Sequence, residues 1–424
     1  MTNHYDNIPS SSTQHGHQKT KLGWLPGEWE VVKLEKLAHF ISGGTPSKNN
    51  PDFWDGEIPW YSAKDLKSFW LQSSIDKVSK LGSENGTRIV EKSTILILVR
   101  GMMLNRDLPL GITTLKSTFN QDIKALVPKQ NCDTVYIAHS ILNRKSKILG
   151  LVNRSSHGTG KLETSTLKSL LFPLPPLPEQ QKIATILSTW DRAIALTRQL
   201  LQEKEAQKKG LMQRLLTGKV RVKGFEEEWQ NCHLDKLTSK VSNGMVYDTK
   251  NINGERITRI ETISNGEINF GKTGFVSKEE ENPKYLMREG DILYSHINSL
   301  THIGKVAYYN GQKKLYHGMN LSLIRCNSLA IPKFVYYWLK SSLGKKWAWK
   351  FAKKAVSQAS ISTSEIKNIV IKVPIKKEQT AIAAILTQAD EEIRLLREKE
   401  RALQAQKKGL MQRLLTGKVR VKVD

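Results

Sequence analysis

Two long segments of the chain place apolar residues at alternating spacings of four and three residues. In the first segment these positions are Ile183, Leu187, Trp190, Ile194, Leu201, Leu211 and Leu215. In the second segment they are Ile382, Leu386, Ala389, Ile393, Leu396, Leu403, Leu410 and Leu414. A heptad seam sustained over about five heptads is typical of a long helix that packs against another helix. Since neither helix can bury its apolar stripe alone, we expect the two to pair as an antiparallel coiled coil.

Residues at the ends of these segments support the assignment. Pro178 suits the first turn of a helix, and Gly218 and Gly417 suit the position after the last turn. The polar residues that interrupt the seams are Thr197, Lys204, Lys208, Glu400 and Lys407. We expect those of the first helix to face those of the second, where they would fix the register of the pair.

The segment before each long helix alternates strand-like and helix-like runs. The strand-like runs cover residues 94–99, 123–127, 291–294 and 321–325, and the helix-like runs cover residues 134–142 and 333–343. Runs of these lengths are typical of mixed domains with irregular loops. We therefore expect an α+β fold, in which two mixed α/β domains are joined by the two long helices. The order of the strands is not readable from the sequence.

The whole chain is an internal repeat. The stretch AQKKGLMQRLLTGKVRVK occupies residues 206–223 and again residues 405–422. Similar stretches also open each half, KLEKLAHFISGG at 33–44 and HLDKLTSKVSNG at 233–244, whereas the middle of each half matches poorly. We predict a variable domain at 21–177, a constant helical region at 178–223, a second variable domain at 224–376 and a second helical region at 377–424. Packing does not require strict identity of surface residues, so we infer that identical partners bind both copies.

The charge of the chain narrows the choice of partner. Lys and Arg number 66 against 40 Asp and Glu, a formal net charge of +26. Such an excess favours polyanions, meaning nucleic acid or an acidic membrane surface. General solubility is the alternative explanation, but a smaller charge already provides it. The longest fully apolar runs, at residues 334–339 and 381–386, contain only six residues each, and the run at 95–99 contains five, so we expect no segment that spans a bilayer.

Cysteine usage and the N-terminal segment suggest a compartment. Cys132, Cys232 and Cys326 lie far apart, and no CxxC pair exists. Neither a zinc site nor a disulfide framework is therefore indicated, and a reduced cytoplasm is the simplest compartment. Residues 1–20 are polar and lack the apolar core of a signal peptide, so we expect them to form a disordered tail.

This layout resembles the specificity subunit of a type I restriction–modification enzyme over nearly the whole chain. The stretch ISGGTPSKNNPDFWDGEIPWYSAKDL at 41–66 is similar to an entry motif of that family's target recognition domains. PLPPLPEQQKIA at 173–184 resembles the family's junction into its conserved helix, and KKGLMQRLLTGKVRV resembles its conserved regions. The second half has SNGMVYDTKNING and VPIKKEQTAIA at the corresponding places, which indicates a recognition domain of a different subtype.

The resemblance implies a non-catalytic DNA-recognition subunit. Each variable domain would read one part of a split, asymmetric DNA target, and a spacer between the parts would not be read. Two modification subunits, which bind S-adenosylmethionine and methylate adenine, would dock on the helical regions through the seam residues and the repeated block. Restriction subunits that use ATP and Mg would join them. No cofactor or metal is implied for this chain itself.

We predict DNA contacts in loops and at strand ends of both variable domains. The small residues of the loop at 155–161 and of its counterpart at 357–360 permit close approach to base edges. The candidates in these loops are Ser155, His157, Thr159, Lys161, Ser357 and Gln358. The candidates that follow buried-looking strands are Arg100, Asn105, Arg106, His296 and Asn298. Solvated loops and ordinary surface charge are the alternatives.

Further candidates have weaker support. In the helix-like stretch at 345–354, Lys346 and Lys350 suit phosphate contacts, while Trp347 and Phe351 share one face and are expected in the core. The remaining candidates are Lys64 and Arg259.

Two other motifs resemble catalytic signatures. Residues 266–273 satisfy the phosphate-loop pattern GxxxxGK[ST], but they alternate like a strand, and we expect a β-hairpin. The stretch NPKY at 282–285 is one letter from the NPPY motif of amino-methyltransferases, and we expect a turn. A bifunctional enzyme with its own methyltransferase or nucleotide-binding centre is the alternative function. A coiled-coil scaffold without a DNA role is a third, which leaves the charge unexplained.

Overall fold

The computed structural model describes residues 13–14, 16–355 and 358–423. The chain divides into two compact units. The first unit comprises residues 1–197 together with 399–424, and the second unit comprises residues 198–398. Each unit therefore holds one variable domain, part of one long helix and part of the other.

The first unit is built from short strands and four- to ten-residue helices. Its strands are β1 (Thr13–Gln14), β2 (His17–Thr20), β3 (Gly23–Pro26), β4 (Glu30–Lys33), β5 (Ala38–Ser42), β6 (Trp54–Tyr61), β7 (Trp70–Leu71), β8 (Asp76–Val78), β9 (Ile89–Val90), β10 (Ile95–Leu98), β11 (Arg100–Gly101), β12 (Leu110–Thr113), β13 (Ser117–Phe119), β14 (Ile123–Pro128), β15 (Asn153–Arg154), β16 (Gly160–Lys161) and β17 (Leu171–Leu174). Its helices are α1 (Leu34–Leu37), α2 (Lys80–Glu84), α3 (Thr134–Asn143), α4 (Lys145–Leu149) and α5 (Thr164–Ser169).

A five-stranded sheet in the order β5-β14-β10-β12-β7 forms the centre of the first unit. All four residues of β10 are fully buried, as expected for a central strand with both faces covered. Residues of α3, such as Ile137 and Ile141, join the same core. A four-stranded sheet in the order β8-β6-β13-β9 and a three-stranded sheet in the order β11-β16-β15 extend it. Strand β4 pairs antiparallel with β17, the strand that leads into the long helix.

The first twenty residues differ in part from the prediction. Strands β1 and β2 pair antiparallel, and β2 pairs with β3. The Gln18 amide also donates to the backbone oxygen of Trp29 at 2.7 Å. The predicted disordered tail is therefore wrong for residues 13–14 and 17–20, because backbone pairing holds them; residues 1–12 and residue 15 lie outside the described residues.

The second unit repeats the plan with fewer strands. They are β18 (Gln230–His233), β19 (Thr238–Asn243), β20 (Glu255–Ile257), β21 (Gly274–Val276), β22 (Ile292–Tyr294), β23 (Ile297–Asn298), β24 (Val306–Tyr308), β25 (Ser322–Cys326), β26 (Lys353–Lys354), β27 (Ala359–Ser360) and β28 (Val370–Val373). The remaining helices are α6 (Leu177–Leu215), α7 (Pro332–Lys340), α8 (Ser342–Phe351), α9 (Thr363–Lys367) and α10 (Lys376–Leu414). The sheets run β19-β25-β22-β24, β23-β27-β26, β18-β28 and β20-β21.

Helices α6 and α10 each contain 39 residues and pair antiparallel within each unit. In the first unit, Ile183 near the start of α6 shares a buried cluster with Leu414 at the end of α10. In the second unit, Leu215 at the end of α6 shares the core with Ile382 near the start of α10. The heptad seams therefore predicted both helices, and the expected antiparallel pairing is confirmed. The α+β class with two long helices is confirmed.

The seam residues are not buried equally. Buried positions are Ile183, Leu187, Leu215, Ile382, Leu386, Ile393 and Leu414. Trp190, Leu211 and Leu410 are partly buried. The polar seam residues pair differently from the prediction, because Lys208 binds the Asp390 carboxylate and Lys407 binds the Asp191 carboxylate. No described helix is both long enough and apolar enough to cross a membrane.

Candidate nucleic-acid interface

A small sheet gathers most of the candidates of the first unit. In this sheet, named here the first hairpin sheet, β16 lies between β11 and β15. Arg100 is opposite Lys161, and Arg154 is opposite Gly160. Strand β11 directly follows the buried strand β10, so the core fixes the edge on which Arg100 lies. The structure thus brings together two stretches that are about sixty residues apart in the sequence.

The turn between β15 and β16 is held by its own backbone and one hydroxyl. The Ser155 amide donates to the Thr159 carbonyl at 3.1 Å, and the Gly158 amide donates to the Ser155 carbonyl at 3.0 Å. The Thr159 amide donates to Ser155 Oγ at 3.2 Å. Gly158 has a φ of 76°, which suits glycine. His157 is exposed at the tip, with Nδ1 3.1 Å from Ser156 Oγ.

Asn105 joins this turn to the chain that follows β11. Its Nδ2 donates to the Gly158 carbonyl at 2.6 Å, whereas its Oδ1 is buried and has no hydrogen-bond partner among the described residues. Leu104 is 1% exposed and packs against Gly160. A Cβ atom added to Gly160 would lie only 2.9 Å from Leu104 Cβ. Asn105 therefore positions the turn, and its amide group is only partly available for a base.

The surface of the first hairpin sheet is basic. Arg100, Arg106 and Arg154 are exposed, and no ion pair engages them within the described residues. Lys161 is also exposed, but its Nζ lies 2.7 Å from a Glu163 carboxylate oxygen, which offsets its charge. Arg154 was missed by the sequence analysis, although it directly precedes the predicted loop. Exposed guanidinium groups suit contacts with phosphates and with guanine.

The second unit contains an equivalent sheet, named here the second hairpin sheet. Strand β27 lies between β23, which follows the buried strand β22, and β26. The equivalence extends to single hydrogen bonds, since Ile361 donates to His296 and Leu162 donates to Val99, both at 2.8 Å. Lys353 and Lys354 on β26 are exposed. The predicted helix at 345–354 therefore ends too late, because α8 stops at Phe351 and the two lysines lie on a strand.

The candidates of this second sheet have different outcomes. Gln358 is exposed, and its carbonyl accepts from the Ala355 amide at 2.8 Å. Ser357 lies outside the described residues. Asn298 is half-buried and donates through Nδ2 to Ser295 Oγ at 3.1 Å. His296 is 4% exposed, and burial lowers the pKa of its imidazole. The predicted DNA contact of His296 is therefore wrong, because its side chain is buried.

Two isolated candidates are not part of either sheet. Lys64 is exposed in the turn between β6 and β7. Arg259 is half-buried and is engaged within its own unit: Nε donates to the Tyr247 hydroxyl at 3.2 Å and Nη2 donates to the Thr249 carbonyl at 2.9 Å. These bonds brace the loop that carries Tyr247, so the guanidinium of Arg259 has a structural role.

Helix α8 presents lysines and one aromatic ring. Lys346 and Lys350 are exposed as predicted for phosphate contacts. Trp347 packs against the core, and its ring stacks on Phe351 with centroids 4.8 Å apart. Trp349 is 63% exposed and lines a cleft with Lys305, Lys340, Lys345 and Lys346. The expectation that the aromatic residues of this segment lie in the core is therefore correct for Trp347 and wrong for Trp349 and Phe351, of which Phe351 is 40% exposed.

The two ends of the long helices carry the same buried ion-pair arrangement. In the first unit, Glu179 is 1% exposed, accepts from Trp29 Nε1 at 2.9 Å and pairs with Arg420 at 2.7 Å. In the second unit, Glu378 is fully buried, accepts from its tryptophan at 3.1 Å and pairs with its arginine at 2.7 Å. The partners of Glu378 are Trp229 and Arg221. The arginines belong to the repeated block, which explains part of its identity.

A second Asp–Lys ion pair also occurs in both units, but the aromatic residue beside the carboxylate differs between them. Asp191 on α6 pairs with Lys407 at 2.5 Å in the first unit, and Asp390 on α10 pairs with Lys208 in the second. His139 lies 3.2 Å from the Asp191 carboxylate, where the second unit has a tyrosine hydroxyl that donates to Asp390 at 2.8 Å. Burial of Asp191 alone would raise its pKa, but the neighbouring His139 ring and the Lys407 ammonium outweigh this effect and lower the pKa.

Other residues of the repeated block stay on the surface in both copies. The exposed residues are Lys209, Gln213 and Arg214 in the first copy and Lys408, Gln412 and Arg413 in the second. Internal packing does not explain their identity. Two units therefore present the same polar pattern on the same helical turns.

The two catalytic-looking motifs have structural roles. Residues 266–273 contain a 3-10 turn at Phe270–Lys272 and are followed by strand β21, not by the helix of a phosphate loop. The predicted hairpin is also wrong, since β21 pairs with β20 further back in the chain. Asn282 caps a 3-10 turn at Pro283–Tyr285, as predicted. No group of three or more potential metal ligands occurs among the described residues.

Comparison with known proteins identifies the family of this arrangement. The model of the type I restriction modification DNA specificity domain matches residues 26–206 and 226–405, one copy in each half. A putative type I restriction enzyme MjaX specificity subunit from Methanocaldococcus jannaschii is 39% identical over 47% of this chain. That match spans only about half of the relative, 48% of its length. The MjaVIII specificity subunit of the same organism is 26% identical over 94% of both chains.

A solved structure agrees with the fold. The S subunit of a type I restriction-modification system from M. genitalium has a TM-score of 0.60 to this chain and 14% sequence identity. The match covers 91% of this chain and 96% of the other. At this identity the likeness concerns the fold alone.

Proposed function

Because this chain belongs to the type I restriction–modification DNA specificity family, we propose that it reads DNA sequence for a type I restriction–modification complex. Each unit reads one part of a two-part target through its hairpin sheet. The chain contributes recognition and assembly, and it carries no catalytic centre of its own.

The recurrence of the hairpin sheet with different side chains carries this proposal. Both sheets consist of a strand that continues a buried core strand and a hairpin that precedes the last strand of the domain. A two-stranded ribbon fits the major groove, where each base pair presents a distinct pattern of donors and acceptors. The first sheet offers Arg100, His157 and Arg154, whereas the second offers Lys353, Lys354 and Gln358. The same sheet architecture with different exposed side chains in the two units suits a DNA target whose two parts differ in sequence.

The repeated block supports the assembly part of the proposal. Its exposed residues are the same in both copies although the units differ, so two copies of one partner would meet the same surface twice. We assign this partner as the adenine-modifying subunit, which binds S-adenosylmethionine. Restriction subunits that use ATP and Mg complete the complex. A chain with its own methyltransferase or nucleotide site is the alternative, and binding of either ligand by the isolated chain, measured by calorimetry, would support it.

Mapping of methylated adenines tests the proposed function. Cells that carry this chain with its partner subunits should methylate adenine at one two-part sequence, and cells that lack only this chain should not. The variant Arg100→Ala/Arg154→Ala should reduce methylation or relax only one part of that sequence, because a base contact by arginine contributes about 1–3 kcal/mol of discrimination. The exposed-lysine variant Lys77→Ala/Lys92→Ala is the control. Methylation that does not depend on the chain contradicts the proposal.

A further inference from the structure

Two methionines are exposed at the first hairpin sheet. Met102 is 72% exposed and Met103 is 40% exposed, directly after β11. Resting on the proposed function, we propose that these side chains contact the C5-methyl groups of thymine in the major groove. The first unit then recognises thymine by apolar contact in addition to the polar contacts of its hairpin.

The turn that carries the methionines is rigidly held. Gly101 has a φ of 145°, in the region that favours glycine, and it ends β11. The 3-10 turn Met102–Asn105 follows. Leu104 anchors this turn in the core at 1% exposure, and Asn105 ties it to the hairpin turn through the bond to Gly158 at 2.6 Å. The methionines are therefore not a frayed loop, because both neighbours on the C-terminal side are fixed.

The charges around the methionines indicate which partner covers them. Arg100 and Arg106 flank the turn, and both are exposed without an ion pair among the described residues. Two exposed apolar side chains bordered by arginines are complementary to a partner surface on which an apolar group is surrounded by anionic groups. The DNA major groove meets this description, since the thymine methyl group is its apolar feature and phosphates border it. Methionine suits such a contact because its unbranched thioether adapts its shape.

The second unit places a different apolar residue at the corresponding point. After β23 the chain runs through Ser299, Leu300 and Thr301, and Leu300 is 40% exposed. Both units therefore have an exposed apolar side chain after the equivalent strand, which is consistent with apolar contacts to DNA by side chains of different length. By contrast, Leu115 is 52% exposed in the turn between β12 and β13, away from this strand, and provides a matched control.

Replacement of thymine by deoxyuridine tests the contact, since it removes only the methyl group. The full chain, in complex with its partner subunits, is titrated against duplexes that carry the target sequence identified by mapping methylated adenines. In these duplexes, each thymine of the part read by the first unit is replaced in turn. At one or more thymines the wild-type chain should bind the deoxyuridine duplex about fourfold more weakly, because the buried area of one methyl group is lost. Met102→Ala/Met103→Ala should bind the thymine duplex more weakly and be insensitive to the replacement. Leu115→Ala should behave like the wild type.

Two outcomes overturn the inference and leave the proposed function intact. One is a double methionine variant that remains as sensitive to deoxyuridine as the wild type. The other is a first target part that contains no thymine, or none whose methyl group matters. In both cases the wild-type complex still prefers its target over a scrambled duplex. Loss of that preference in the wild type would instead contradict the proposed function, so the two failures are distinguishable.

Discussion

Buried carboxylates at the ends of the long helices anchor the fold. Glu179 and Glu378 each accept a tryptophan N–H and pair with an arginine while almost fully buried. Hydrogen bonds to a buried charged group contribute about 1.5–3 kcal/mol. The same three residue types occupy this arrangement in both units, so the energetic effect of a change should also repeat.

We predict that Glu179→Gln and Glu378→Gln each lower the free energy of unfolding by about 2 kcal/mol. Glutamine keeps the size of the side chain but removes the charge that pairs with arginine. Urea unfolding measures both variants. Glu228→Gln, which changes an exposed glutamate beside Trp229, is the control and should have little effect. A loss for Glu378→Gln no larger than the control would contradict the role of this carboxylate.

His139 should make stability depend on pH. Its ring is fully buried, lies beside Asp191 and Lys407, and stacks on Phe69 with centroids 4.4 Å apart. Burial lowers the pKa of His139 below its ordinary value of about 6.5. The unfolded chain therefore gains a proton near pH 6.5 that the folded chain does not, so stability falls as the pH decreases below this value and is unaffected above it.

The variant His139→Gln removes this titration. Relative to the wild type, its free energy of unfolding should rise by up to about 1.4 kcal/mol per pH unit below pH 6.5. Urea unfolding at pH 7.5 and pH 5.5 measures the difference. If the difference between variant and wild type is the same at both pH values, His139 is not held neutral by burial.

Individual contact residues were only partly predictable. The turn within the predicted loop at 155–161 was located correctly, because small polar residues between two structured runs indicate a turn, but residues 160–161 form strand β16. The burial of His296 and the bonds of Arg259 were not predictable, since each depends on packing against residues far along the chain. Arg154 and Met102 lay next to predicted candidates, but their exposure became visible only with the fold.

At the scale of elements, the ends of the long helices offer a matched comparison. Gly218 and Gly417 occupy equivalent positions after the last turn, with φ of 70° and 67°. Their surroundings differ: a Cβ on Gly218 would make ordinary contact with Trp229 at 3.5 Å, whereas a Cβ on Gly417 would overlap the Pro26 ring. Alanine at either site carries the strain of a left-handed conformation, about 1 kcal/mol or more.

We predict that Gly417→Ala destabilises the chain more than Gly218→Ala, by at least about 1 kcal/mol, because only Gly417→Ala adds a steric overlap. Thermal or urea unfolding of the two variants provides the comparison. Equal losses would mean that the Pro26 ring moves away freely, and that the end of α10 is less tightly packed than its contacts imply.

Helices were easier to predict than sheets. The seams of α6 and α10 repeat within a few residues, so a local pattern identifies them. Helix α3 and strand β10 were likewise predicted within one residue of each boundary. Strand order was not predictable because pairing joins distant segments, such as β5 with β14 and β4 with β17. The two-residue strands of the hairpin sheets are too short to carry any alternating pattern.

At the scale of the whole molecule, charge sets how binding responds to salt. The net charge of +26 and the free arginines of the first hairpin sheet predict contacts with several phosphates. A protein with six to ten such contacts loses about 10³–10⁵ in affinity between 50 and 200 mM salt. Fluorescence anisotropy with the target duplex should show a loss of at least about a thousandfold over this range. A change of less than about tenfold would favour the scaffold alternative.

The internal repeat was evident from the sequence, and it leads to the central claim that each variable domain reads its own part of the target. Exchange of residues 21–177 for the corresponding domain of another specificity subunit tests this most directly. Methylated adenines are then mapped in cells that carry the exchanged chain with the same partner subunits. The account predicts a new two-part target in which one part has changed and the other is retained. A target that is unchanged, or changed in both parts, would contradict it.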